Sequence, residues 1–242
     1  MLHGHRKKEM IHIFIGYDTD ESVAFYVLSH SLHRQSTMPV SISPINRDNL
    51  RGIFTRKRGE LESTDFSISR FLVPWLSGYE GWSIFMDCDM VCRDDIARLW
   101  AWRDDRYAVM CVHHDHVPVQ TTKFLNQPQT RYGKKNWSSV MLFNNAKCRS
   151  LTPEYVNTAT GLQLHQFTWL GSDEEIGYLP AHWNHLADVQ DPAAYPSLVH
   201  YTLGGPWFQS YANCDFHLDW HTEKSRMLHS AESLDDKLKI IK

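Results

Sequence analysis

The pattern of apolar and polar positions divides the chain into short buried strands and amphipathic helices. Ile11-His12-Ile13-Phe14-Ile15 reads as a strand, with Gly16-Tyr17-Asp18 as the turn after it. Asp20 is placed to cap a helix, with Glu21 in a first turn that favours acid. Ala24, Val27, Leu28, Ser31 and Leu32 then recur at helical spacing, and Val40–Ile45 returns to strand. A strand–helix–strand opening predicts a parallel α/β sheet, in which ligands bind beyond the carboxyl ends of the strands. Gly16, Tyr17 and Asp18 sit at such an end. Gly16 would let a ligand approach the backbone, Tyr17 would stack on a base, and Asp18 would accept from a base or ribose. The alternative is that all three are turn residues only.

Further along, Ser63-Thr64-Asp65 predicts a helix start with Ile68, Phe71, Leu72 and Trp75 as its apolar face and Pro74 limiting its length. Ile84-Phe85-Met86 is an apolar run suited to a strand buried on both faces. A helix through Leu99-Trp100, a strand over Tyr107–Val112 and a strand from Asn136 to Asn144 follow. Thr152-Pro153-Glu154 and Gly171-Ser172-Asp173-Glu174-Glu175 each predict a helix start. Leu179–Asn184 reads as a short strand or turn, Leu198–Tyr201 as a strand end, Thr202–Trp207 as a Gly-rich loop, and the remainder as charged or amphipathic helix. There are no repeats and no linker. The expectation is a flexible leader over 1–10 and one domain over 11–242.

The chemistry concentrates where the Ile84–Met86 run ends in Asp87-Cys88-Asp89. Two acids at alternate positions of an extended chain point to the same side, and neither is buried cheaply without a compensating charge. Hard oxygen ligands suit Mg²⁺ or Mn²⁺, which complete their shells with substrate phosphates. The alternative is an aspartate capping the helix near Asp94-Asp95. Arg70 lies off its apolar stripe and is placed to reach a phosphate or to orient Asp87. Arg51, Arg56, Lys57 and Arg58 form a basic run, read as a solvated loop or as one facing an anion. His113-His114-Asp115-His116 resembles a metal cluster, although adjacent histidines need not converge. The polar stretch 120–135 reads as a long loop over the site.

Composition narrows the class. The chain has 242 residues, 42% of them hydrophobic, which fits a globular domain with a sizeable core. Net charge is −3, so nothing points to nucleic acid. Five cysteines, odd in number and without a CxxC pair, give neither a disulfide framework nor a zinc ribbon and fit a reducing cytoplasm. No run approaches a transmembrane segment. The basic leader lacks the apolar core of a signal peptide, so the expected location is cytoplasmic or peripheral to a membrane.

From about Ile11 to Trp207, the order of these motifs resembles the metal-dependent GT-A glycosyltransferases of the family 8 type, the retaining group that includes glycogenin and bacterial lipopolysaccharide galactosyltransferases. The resemblance implies a GT-A (Rossmann-like) α/β fold, with a mixed, mostly parallel sheet flanked by helices. It implies a UDP-sugar donor, an acceptor that is a carbohydrate or lipid-linked, and Mn²⁺ or Mg²⁺ held by Asp87, Asp89 and His200. Ile15, Gly16, Tyr17, Asp18, Arg70, Asp87, Cys88, Ser138 and Ser139 would face the nucleotide or donor, and Asp173 and Glu174 the sugar, with Arg70 also catalytic. The chain departs from the pattern where the family has a lysine that contacts the diphosphate. Gly205 precedes Pro206 there, so the backbone N–H groups of Gly204 and Gly205 are expected to replace it in part.

Two rivals remain at this stage. A haloacid-dehalogenase-like phosphohydrolase also ends a buried strand in Asp-x-Asp, with the first acid as nucleophile. A catalytically silent nucleotide-sugar or glycan-binding protein would share the site without the turnover.

Overall fold

The computed structural model describes residues 9–59, 62–115 and 133–239, with side chains as far as residue 229. Most of the leader, His116 and most of the stretch 120–135 lie outside the described residues. The first strand, β1 (Ile11–Gly16), leads into helix α1 (Ser22–Gln35) and strand β2 (Val40–Ile45). Then come α2 (Val73–Leu76), β3 (Trp82–Met86), β4 (Met90–Cys92), α3 (Ile96–Trp100) and β5 (Val109–Cys111). The second half contains β6 (Val140–Asn144), α4 (Pro153–Thr158), α5 (Gly161–His165), β7 (Ile176–Tyr178), β8 (His185–Leu186), β9 (Leu198–His200) and α6 (His217–Lys239).

The main sheet has the order β2-β1-β3-β6-β5-β7. β1 is parallel to β2 and β3, β5 is parallel to β7, and β6 is antiparallel to both of its neighbours. All strands but β6 therefore point one way, and the start of β6 shares an edge with the ends of β1 and β3. Ile84, Phe85 and Met86 are wholly buried at the centre of this sheet, as a strand covered on both faces requires. This mixed, mostly parallel α/β architecture agrees with the fold class expected.

A smaller sheet, β4-β9-β8, was not legible as a sheet in the sequence. It packs with α1 and α6 around Val27, Val91, Val199, Tyr201 and Trp220. Trp207 closes this cluster, with its ring 5.3 Å from Trp220 and 5.8 Å from Tyr201. No helix among the described residues is long and apolar enough to cross a membrane.

Three local expectations are corrected. The helix expected from Ser63 is a series of turns and a 3₁₀ segment, Ser69–Leu72, ahead of α2. Thr64 and Ser67 bond to each other at 2.9 Å, diverting this segment into local turns. Pro74 lies in the first turn of α2, where its missing N–H costs nothing, so it begins a helix instead of ending one. The strand expected from Asn136 begins only at Val140, because Asn136 is left-handed (φ 64°) and Trp137–Ser139 form a 3₁₀ turn. Asp173–Glu175 form a single 3₁₀ turn, after which Ile176 pairs with Val109 as a strand.

α6 is fastened to α1 through Glu223, which is 3% exposed. Its carboxylate accepts from Arg34 at 2.8 and 3.0 Å and lies 2.7 Å from His30 Nδ1. Burial works to raise the Glu223 pKa, but the hydrogen bonds from Arg34 and His30 outweigh it and hold it below the ordinary 4.5. A depressed carboxylate stabilises the fold above its unfolded pKa and loses that contribution as pH falls through the folded one. Glu223→Gln is therefore expected to lower stability at pH 7 by about 1–3 kcal/mol, since it leaves half-exposed cations without their anion. Urea unfolding should show the gap between the two proteins closing below about pH 4.5; a gap unchanged at pH 3 would contradict this role.

Candidate active site

Strand pairing builds the site. β3 ends at Met86, and the Asp87 N–H donates to the Ser139 carbonyl at 2.9 Å, which holds the start of Asp-x-Asp against the start of β6. Three residues after Asp87, β4 pairs antiparallel with β9, Met90 opposite His200. The Tyr201 N–H donates to the Asp89 carbonyl at 2.8 Å. This register places His200 beside Asp89. One ligand atom from each of Asp87, Asp89 and His200 lies within 4.8 Å of the others, and Asp89 and His200 are buried.

The His200 ring has a defined tautomer. Asn184, fully buried, donates its amide N–H groups to Ser139 Oγ (2.8 Å) and the Asn136 carbonyl (3.2 Å). Its Oδ1 therefore faces His200 Nδ1 at 3.0 Å as an acceptor, so Nδ1 carries the proton. Nε2 then faces Asp89 Oδ1, 3.4 Å away, where a proton or a metal cation between the two would link them. Two carboxylates and an imidazole held this way fit a divalent cation of the Mn²⁺ or Mg²⁺ kind.

Arg70 closes the other side. It is 5% exposed, and its guanidinium lies 2.6 Å from Asp87 Oδ1 and donates to the Ser138 (2.9 Å) and Ser67 (3.1 Å) carbonyls. The rings of Phe66 and Phe85 lie 5.2 and 5.0 Å from the guanidinium carbon. Missed in the sequence is His165, at the end of α5, whose Nδ1 meets Ser138 Oγ at 2.7 Å. Burial, then the charges of Arg70 and Lys135, push the His165 pKa well below its ordinary value, against a hydrogen bond to the Ser67 carbonyl. The imidazole is thus neutral, and Nδ1 accepts from the Ser138 hydroxyl. Nothing in the local sequence marks His165, since its role depends on residues far away in the chain.

The remaining residues fall in different places. Ile15 and Cys88 are fully buried, so only their backbone can face a ligand. Burial first, then Glu21, Asp89, Asp87 and Asp18, drive the Cys88 thiol far above its ordinary pKa and leave it unreactive. Packing requires a glycine at position 16: a Cβ there would meet the Phe66 ring at 2.3 Å. Tyr17 is half-buried with its ring edge-on to Phe25 at 5.4 Å. Asp18 already accepts from Asp20 N–H (3.0 Å) and Asp65 N–H (2.9 Å), and so locks the turn after β1. Ser138 and Ser139 spend their hydroxyls on His165, Asn136 and Asn184, bracing the site.

Gly204 and Gly205 do not form an open phosphate cradle. Both are buried, and the Gly204 N–H donates to the Tyr201 carbonyl at 2.9 Å. A Cβ on Gly205 would meet the Trp207 ring at 2.0 Å, so that glycine admits an indole. Asp173 and Glu174 precede β7 at its N-terminal end, whereas Asp87 follows the C-terminal end of a strand that runs the same way. Asp173 is ion-paired with Lys134. Glu175 accepts from the Gly171 and Ser172 N–H groups. The structure does not bring these acids to the Asp87 cluster. His113 stacks on Trp137, and His113 and His114 join no metal-ligating group among the described residues. In the basic run, Arg56 donates to the Ala159 carbonyl at 2.7 Å and Arg58 pairs with Asp65 at 3.0 Å, so both serve the fold.

No protein-family model matches the chain. By sequence it is 48% identical over 229 residues to Protein CDI of Arabidopsis thaliana, across 91% of this chain and 88% of that protein. Among solved structures it resembles WbbM, a bifunctional glycosyltransferase, with a TM-score of 0.64 and 14% identity over 89% of this chain and 50% of that one. It also resembles the glycosyltransferase GlyE of Streptococcus pneumoniae, with a TM-score of 0.60 and 14% identity over 94% of this chain and 64% of that one. The galactosyltransferase LgtC matches with a TM-score of 0.54 and 11% identity over 89% of this chain and 96% of that one. The chain thus spans about half the length of WbbM. At these identities the likeness carries the fold, which is of the GT-A glycosyltransferase type.

Because Asn184 fixes the His200 tautomer, Asn184→Ala is expected to weaken Mn²⁺ binding by about 10–100-fold, as loss of an outer partner of a ligand does. Calorimetric titration with Mn²⁺ checks this, and an unchanged affinity in a folded variant would remove His200 from the ligand set.

Proposed function

The chain belongs to the family of the Arabidopsis thaliana protein CDI, and we propose that it is a metal-dependent glycosyltransferase that moves a hexose from a UDP-sugar to a carbohydrate or lipid-linked acceptor, with retention of configuration, as the family 8 type does. The observation that carries this reading is the Asp87–Asp89–His200 cluster, with His200 Nε2 3.4 Å from Asp89 Oδ1, at the strand ends of a GT-A fold. The three side chains would hold Mn²⁺ or Mg²⁺, which when bound supplies a Lewis acid for charge developing on a diphosphate.

The chain's own residues account for the rest. Arg70 holds Asp87 in place and adds a fixed positive charge beside the cluster. Lys135, close enough for its charge to act on His165, is a second cation on the same side. Together they supply what the absent family lysine would. The base is expected against Tyr17, next to the turn that Asp18 locks. Asp173 and Glu174 have no catalytic role in this reading, because they lie at the other end of their strand.

The phosphohydrolase rival is disfavoured by the same geometry. Its nucleophile would be Asp87, whose Oδ1 lies 2.6 Å from the buried Arg70 guanidinium. A carboxylate stabilised in this way is a poor nucleophile.

Incubation with a panel of nucleotide sugars, with and without Mn²⁺, tests the proposal. UDP release is expected only with metal, and Asp87→Asn or Asp89→Asn should each lower it at least about 100-fold, the scale of losing a main electrostatic stabiliser. Release of inorganic phosphate would favour the hydrolase. Tight Mn²⁺–UDP binding without turnover would make the protein a binding module.

A further inference from the structure

Beside the metal cluster, at the C-terminal ends of β5 and β7, the chain builds an aromatic shelf. The His113 ring stacks on Trp137, with centroids 3.9 Å apart and planes within 4°, and Tyr178 stands perpendicular to His113 at 5.7 Å. The rings are pinned. The Trp137 Nε1–H donates to the His114 carbonyl at 3.0 Å, and His113 bonds the Gly177 carbonyl. Burial lowers the His113 pKa, so it stacks as a neutral ring. Tyr178, by contrast, is 51% exposed. Trp137 immediately precedes the Ser138-Ser139 pair that braces Arg70 and Asp87, so the shelf adjoins the donor site.

A polar rim accompanies the shelf. The Lys134 ammonium lies 6.0 Å from the Trp137 ring centroid, donates to the Gln166 carbonyl at 3.0 Å and pairs with Asp173. β5 and β7 have three residues each, so at about 3.3 Å per residue the two ends of the strands are roughly 7–10 Å apart. A cleft of about 460 Å³ opens beyond Lys134, lined also by Gln166, Thr168, Ser172 and Asp173. Lys134 (φ 60°), Asn136 (φ 64°) and Phe167 (φ 59°) are left-handed non-glycine residues. Such residues are strained and tend to persist where a site requires them. All three lie in the segments that form this shelf and cleft.

We propose that the Tyr178–His113–Trp137 shelf and the Lys134–Asp173 pair form the acceptor subsite, and that its ligand is a neutral saccharide. This rests on the transferase reading of the adjoining metal site. The ligand class follows from the chemistry. A pyranose has an apolar C–H face that suits an exposed tyrosine ring, and hydroxyls that pair with an alternating cation, carboxylate and amide rim. Lys134 is neutralised by Asp173, so the rim carries no net charge to hold a phosphate. The exposed Asp173 then recognises an acceptor hydroxyl instead of the reacting carbon.

Saturation-transfer NMR with lactose, maltose, cellobiose and xylobiose, each with and without Mn²⁺ and UDP, tests this. At least one disaccharide is expected to show transfer to its ring protons with the wild-type protein. That binding should weaken at least tenfold in Tyr178→Ala and in Asp173→Asn, both substitutions of exposed side chains, and persist in Asp87→Asn. Persistence in Asp87→Asn separates the subsite from the donor reading, because it does not require a working metal site. The proposal is overturned if no disaccharide binds under either condition, if neither shelf variant changes binding, if binding disappears only in Asp87→Asn, or if inorganic phosphate alone competes for the cleft.

Discussion

The pairing of Met90 with His200 is the constraint on which the site depends. It joins segments more than a hundred residues apart and brings an imidazole next to Asp89. A slip of one residue in that register would turn His200 to the opposite face. The pairing is short, and its stability comes from what packs behind it: Val91, Val199, Tyr201, Trp220 and the α1–α6 contact anchored by Glu223. The small sheet and the C-terminal helix therefore hold the third member of the Asp87–Asp89–His200 cluster in place.

The electrostatics are organised around the same point. Asp18, Glu21, Asp87 and Asp89 all act on the Cys88 thiol, which places four acids around one buried residue. Like charges at this density are tolerated at a strand end only with compensation. Arg70 provides part of it, packed against two phenylalanine rings and hydrogen-bonded to two backbone carbonyls. His165 is kept neutral beside that cation, so its ring can accept from Ser138 and fix the loop that carries Trp137 and the two serines. A cation at Asp87, Asp89 and His200 would complete the balance. The layout thus combines fixed protein charge with a site for a removable one.

Much of this was legible in the sequence because it depends on local pattern. The Ile84–Met86 run has the pattern of a buried strand, and two acids at alternate positions after it share a side if the chain stays extended. The α/β class followed from the strand–helix–strand opening. What failed was whatever depends on distant partners. Gly16 reads as an opening for a ligand, but it makes room for the ring of Phe66, fifty residues further along the chain. Ser138 and Ser139 read as sugar contacts, but their hydroxyls serve the protein. Asp173 and Glu174 were matched by composition to an acidic motif, yet strand direction puts them at the other end of β7. His165 and Asn184 were overlooked as site residues because a lone histidine or asparagine acquires meaning only from its neighbours.

The proposed site for one divalent cation lies where β3, β4 and β9 meet. Diffraction from crystals grown with Mn²⁺ and UDP, recorded near the manganese absorption edge, shows whether it is filled. An anomalous peak is expected within roughly 2.0–2.5 Å of a carboxylate oxygen of Asp87, one of Asp89 and Nε2 of His200, with the diphosphate on its open side. UDP bound in the crystal with no manganese peak at these three side chains, or with the His200 ring turned away from it, would rule this site out.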